Sequence, residues 1–197
     1  GGGMALALVA SAAIQRPRVK ARGVAPLPPA HFPLFMTLGA FLALAGSWAF
    51  FLANPLLSAA DIHPVTVVGN VAFAAAGGLL LPLLYTWFVA GQPDALMTAR
   101  GLVAGLVAIA AGAAFVPGWA ALATGAVAGA LLPIVHYIVT RLLQWDDETA
   151  VAGTFVVPGY WGLLAVGLFA SGRWGIGWNG VGADAHLGVS GQGVSGY

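Results

Sequence analysis

Charge is what this chain has least of. Its 197 residues include 7 Lys+Arg and 6 Asp+Glu, 7% of the total, where a soluble domain carries about a quarter. So few ionised groups cannot cover a water-facing surface, and a composition 60% hydrophobic with a mean hydropathy of +0.92 points the same way. Cysteine is absent (Cys 0), which excludes disulfides, thiolate metal sites and cysteine nucleophiles. A net charge of +1 gives no basic footprint for nucleic acid. Catalytic patterns are missing too. No His pair has metal-ligand spacing, and there is no Gly-x-Ser-x-Gly elbow, phosphate loop or carboxylate pair within an apolar run. No enzyme, metal or cofactor is expected. The 29 Gly and 12 Pro follow no Gly-X-Y period, which excludes collagen.

What is present is a series of apolar runs punctuated by those few charges. They lie at about 1–15, 32–54, 64–90, 101–140 and 150–172, with a shorter one from about 187 onward. A bilayer core of roughly 30 Å needs about 20 apolar residues per helix. The run 101–140 holds two helices, parted at Val116-Pro117-Gly118-Trp119 because Pro and Gly break helices and Trp favours the interface. Barrel strands would alternate apolar and polar residues, and Val71-Ala72-Phe73-Ala74-Ala75-Ala76 does not. The expectation is an all-α, polytopic membrane helix bundle with five full and two partial transmembrane helices.

The basic residues orient it. Arg16, Arg18, Lys20 and Arg22 in the first loop, Arg100 in the third and Arg141 in the fifth fall on one side, against Arg173 alone on the other. By the positive-inside rule the Arg16–Arg22 loop is cytoplasmic, in a plasma or inner membrane. Residues 1–197 are read as a single membrane domain. Both ends look like cuts in a longer chain, since Gly1-Gly2-Gly3 leads straight into an apolar run and Gly188–Tyr197 reads as a helix just begun.

Gly101…Gly105 and Gly125…Gly129 are small-residue pairs of the kind that pack helices in lipid. His31 and His63 flank spans, His136 lies near the end of one, and His186 sits in a Gly-rich loop. Asp146-Asp147-Glu148, with Thr149, reads as the cap of the next helix.

Several stretches, in order and with compatible spacing, resemble the ammonium transporter (Amt/Mep/Rh) family. Arg100-Gly101-Leu102-Val103-Ala104-Gly105-Leu106-Val107-Ala108-Ile109-Ala110 is similar to the family's Asn-Gly-x-(Leu/Ile)-Ala-Gly-Leu-Val-Ala-Ile-Thr. Asp146-Asp147 followed by Gly159-Tyr160-Trp161-Gly162-Leu163-Leu164-Ala165-Val166-Gly167-Leu168-Phe169-Ala170 resembles a second signature. Asn70-Val71 with Ala74-Ala75-Ala76-Gly77 resembles the Asn-Thr…Ala-Ala-Ala-Gly helix. The resemblance implies the second half of an eleven-helix fold, which conducts ammonium or ammonia through an apolar pore in each subunit of a homotrimer. In such a pore two histidines handle the proton beneath an aromatic gate. Carried over by position, Phe50 matches a gate Phe, and Asn54 stands at the Ser of the outer cation site. Phe51 and Ser47 depart from the motif. The second pore His falls eight positions beyond Asp147, where this chain has Phe155, and Pro158 interrupts the run that follows. Phe cannot accept or relay a proton. Two functions are therefore weighed: ammonium or ammonia conduction through an altered pore, or a non-conducting scaffold that joins unlike membrane subunits.

Overall fold

The computed structural model describes residues 31–53, 64–143 and 150–170, which are helical apart from their connections. Helix α1 is His31–Leu52, α2 Pro64–Ala90, α3 Ala95–Ile109 and α4 Gly118–Tyr137. A π-helical turn, Ile138–Leu142, prolongs α4, and a second, Ala152–Val156, leads into α5, Val157–Phe169. Among the described residues there is no strand. Four segments are long and apolar enough to cross a membrane: His31–Leu52, Pro64–Ala90, Gly118–Leu142 and Ala152–Phe169. The partial helices expected at 1–15 and from 187 onward lie outside the described residues, as do His63, Asp146–Glu148 and His186.

Helix α3 departs from expectation at its start. It begins at Ala95, where the Asp94 side chain accepts a 2.8 Å hydrogen bond from the Leu96 N–H as an N-cap. Arg100 is thus not a loop residue: it lies inside α3, only 6% exposed. At 15 residues α3 is shorter than a full span. Its apolar run continues as a tight connection instead. The Gly112 N–H reaches back to the Ile109 carbonyl (2.9 Å), and the Phe115 and Val116 N–H groups to that of Gly112 (2.9 and 3.1 Å). Pro117 then opens α4 in extended backbone, and Trp119 is exposed beside it. The break expected at Val116–Trp119 is where the structure has it. Asn70 of α2 fastens this connection, its Nδ2 donating to the Ala113 carbonyl at 2.9 Å and to that of Val116 at 2.7 Å.

Helix α2 is the centre of the bundle, and glycine explains how closely its neighbours approach. A Cβ on Gly105 of α3 or on Gly125 of α4 would fall on the Ala74 carbonyl; one on Gly101 or Gly129 would fall on that of Gly78. The two small-residue pairs therefore meet at the same stretch of α2, Ala74–Gly78. Pro82 has no N–H to offer the Gly78 carbonyl four residues back, which leaves that oxygen for Cα–H contacts from Gly101 and Gly129. The Pro82 ring itself lies against both glycines. Since lipid supplies little hydrophobic drive between helices, such backbone approach is what packs them. Helix α1 leans on α2 and α3 and leaves Leu34, Phe35, Leu42 and Phe50 exposed, as suits a helix facing hydrocarbon or other apolar groups.

Candidate functional site

Phe50 lies in the last turn of α1 and is 73% exposed. Its ring meets Phe51 edge-on, with centroids 5.4 Å apart and planes at 70°. Phe51 is buried in the core, so one ring of the pair is anchored and the other projects from the bundle. Asn54 lies outside the described residues.

Phe155 is half-buried in the turn Ala152–Val156. Three features shape that turn. Ala150, fully buried, holds φ at 52°, a left-handed conformation that costs a non-glycine residue of order 1 kcal/mol or more. Gly153 lies against Leu132 of α4, where a Cβ would come within 2.9 Å of the Leu132 side chain. Pro158, fully buried, has no N–H for the Thr154 carbonyl, and the Val157 N–H bonds the Ala152 carbonyl five residues back. A π-turn of this kind often marks a functional site. The turn packs on α3, α4 and α5, whereas α1 packs on α2 and α3. Phe50 and Phe155 thus sit on elements whose shared neighbour is α3.

Buried and half-buried hydroxyls are spread through the bundle. Thr37, Ser47, Thr86, Thr98 and Thr140 each donate to a carbonyl three or four residues back on their own helix. Thr124 and Thr154 do not: both are buried, 1% and 3% exposed, and neither hydroxyl has a protein partner. The Thr124 carbonyl is the acceptor for Trp161 Nε1, at 3.0 Å, which ties α5 to α4. No motif marks a buried threonine, and the back-bonding that separates these two from the other five appears only in three dimensions.

The charge inventory is short. Among the described residues the Asp, Glu, Lys, Arg and His side chains are His31, Asp94, Arg100, His136 and Arg141, and residues 150–170 contain none. His31 begins α1 and meets Phe35 edge-on at 5.9 Å. No group of three or more His, Cys, Asp or Glu that could hold a metal occurs among the described residues. The Phe155 turn therefore offers no ionisable Asp, Glu, Lys, Arg or His side chain of its own.

Residues 1–192 match the Ammonium Transporter Family. Ammonium transporter Amt2 of Archaeoglobus fulgidus is 36% identical over 154 residues, covering 75% of this chain and 31% of that protein. Ammonium transporter Amt2 of Haloferax mediterranei is 32% identical, covering 80% of this chain and 37% of the relative. Among solved structures, Saccharomyces cerevisiae Mep2 matches with a TM-score of 0.67 at 27% identity, over 84% of this chain and 37% of that one. A structure described as a sensor Amt protein matches with the same TM-score, 0.67, over 74% of this chain and 35% of that one. The chain spans roughly a third of the length of these proteins.

Proposed function

The chain belongs to the ammonium transporter family, and from that membership we propose that it conducts ammonia through a pore in which Phe155 stands at the second histidine position. It is an integral membrane protein of a family of transporters. The substrate is ammonium or ammonia, the assembly a homotrimer in a plasma or inner membrane, and the Arg16–Arg22 loop cytoplasmic.

The observation that carries the reading is Phe155 on its built turn. Gly153, Thr154 and Pro158 are buried around it, while residues 150–170 carry no Asp, Glu, Lys, Arg or His. An ion crossing an apolar constriction must shed its charge or find a compensating one. With Phe155 in place of a proton acceptor, passage is left to neutral ammonia. Phe50 and Asn54 complete the site as aromatic gate and outer polar residue.

The test is vesicle flux. Purified chain in sealed vesicles given an ammonium gradient should raise the internal pH, as ammonia enters and binds a proton inside, with no sustained current. A flat response in both channels overturns conduction. A specific observation favours a second reading as well: the glycine contacts to Ala74 and Gly78 are intact while Ser47, Phe51, Phe155 and Pro158 all depart from the family pattern. That combination suits a non-conducting scaffold. Unlike membrane subunits copurifying at fixed stoichiometry, together with flat vesicles, would support it.

A further inference from the structure

The turn Ala152–Val156 carries polar atoms that its own backbone leaves open. Thr154 is 3% exposed, and its hydroxyl has no hydrogen-bond partner. Its N–H is already bonded, at 2.9 Å, to the carbonyl of Ala150. The state of the neighbouring carbonyls follows from the proline. A helical carbonyl takes its donor from the residue four positions on, or five in a π-turn. For Thr154 the residue four on is Pro158, which has no N–H. For Gly153 it is Val157, whose N–H goes to the Ala152 carbonyl, and the residue five on is again Pro158. The Gly153 carbonyl is therefore left without either helical donor, in a residue that is itself buried.

In folded proteins such groups are nearly always paired, with the protein or with a small bound molecule. An enclosed water requires at least two polar partners, and here a hydroxyl and a carbonyl stand open on consecutive residues. The carbonyl only accepts, whereas the hydroxyl donates and accepts, so the occupant must offer an N–H or O–H of its own. Residues 150–170 hold no Asp, Glu, Lys, Arg or His. This segment thus supplies no counter-charge, and an ion without one is costly to bury. Leu132, which lies against Gly153, and Pro158 are both fully buried, and packing of that kind keeps the occupant small. Thr124 also has a buried, unpartnered hydroxyl but lacks this setting, since no proline falls four or five positions beyond residues 120–124.

We infer that the Thr154 hydroxyl and the Gly153 carbonyl form a binding site for one small neutral molecule that donates and accepts hydrogen bonds, of the class of water and ammonia. The site is next to Phe155 in the chain but more enclosed, Thr154 being buried where Phe155 is half-buried. It needs only the closed turn and does not rest on conduction.

Thermal unfolding in detergent tests it through variants of the full chain. Thr154→Val keeps the branched shape and exchanges the hydroxyl for a methyl. Were the hydroxyl empty, that change would remove an unpaired buried polar group and raise the midpoint. With an occupant, the midpoint should fall by about 2–4 °C, the weight of one hydrogen bond. Thr154→Ser and Thr154→Ala differ by the hydroxyl alone, so the Ser midpoint should lie above that of Ala even if Thr154→Val folds poorly. Repeating the series at alkaline pH, in ammonium chloride and in sodium chloride of equal ionic strength, separates the two occupants. A bound ligand raises the midpoint of the protein that holds it. A rise with free ammonia in the parent and Thr154→Ser, absent in Thr154→Ala, assigns the site to ammonia. The same order of midpoints with no ammonia dependence assigns it to water. An Ala midpoint equal to or above that of Ser overturns the inference in either salt.

Discussion

Asn70 is the side chain on which the connection between α3 and α4 closes. Its two donated bonds reach the carbonyls of Ala113 and Val116, 43 and 46 residues along the chain, in a stretch where the backbone has left the helix. Replacing it by Val removes both donors at one stroke and leaves buried carbonyls unpaired, a loss of about 1–3 kcal/mol. Thermal unfolding in detergent should place Asn70→Val well below the parent, while Leu42→Ala on the exposed face of α1 stays within about 0.5 kcal/mol. Equal midpoints for the two variants would contradict the role given to Asn70. The residue was visible in sequence as part of Asn70-Val71, but its partners were not, because nothing local ties position 70 to positions 113 and 116. Phe155 stands out in the sequence for the opposite reason, as a departure at a counted distance from Asp147 from the pattern that the resemblance implies. Restoring the imidazole by Phe155→His should bring in an ammonium-dependent current in vesicles that the parent lacks. A variant as silent as the parent would mean that the missing acceptor is not what blocks the charge.

Among the elements, the apolar runs and the Pro117 break gave the helices, and the Gly101…Gly105 and Gly125…Gly129 pairs gave the packing faces. That both pairs clasp the same five residues of α2, with Pro82 releasing the Gly78 carbonyl toward them, is a tertiary fact without a sequence signal. The start of α3 at Ala95 differs from the start of the apolar run because a charge is not the boundary there. Arg100 is buried, and the true signal was the capping Asp94. The π-turn before α5 left only Pro158 as a trace. These contacts make an asymmetric prediction. Gly125→Ala drives a methyl into the Ala74 carbonyl and should cost about 1–3 kcal/mol through forced separation of α2 and α4. Gly39→Ala in α1, with nothing within 4 Å, should be neutral or stabilising by up to about 1 kcal/mol, since alanine loses less backbone freedom in a helix. Chemical denaturation of the two variants side by side tests it; a destabilised Gly39→Ala or an undisturbed Gly125→Ala would argue against glycine-mediated packing.

For the whole molecule, scarcity of charge has two consequences that belong together. It makes the chain a membrane bundle: the 20 residues of α4 span about 30 Å, the thickness of the hydrocarbon core, with exposed Trp119 and Tyr137 near its ends. It also leaves residues 150–170, the turn around Phe155 included, with no Asp, Glu, Lys, Arg or His. On the proposed reading, a passage beside that turn has no group there to take a proton from ammonium. The measurement that bears on this most directly records internal pH and transmembrane current together, in vesicles holding the parent chain under an inward ammonium gradient. The account predicts a rise in internal pH faster than in empty vesicles, with no sustained current. A steady inward current carried by ammonium would contradict it.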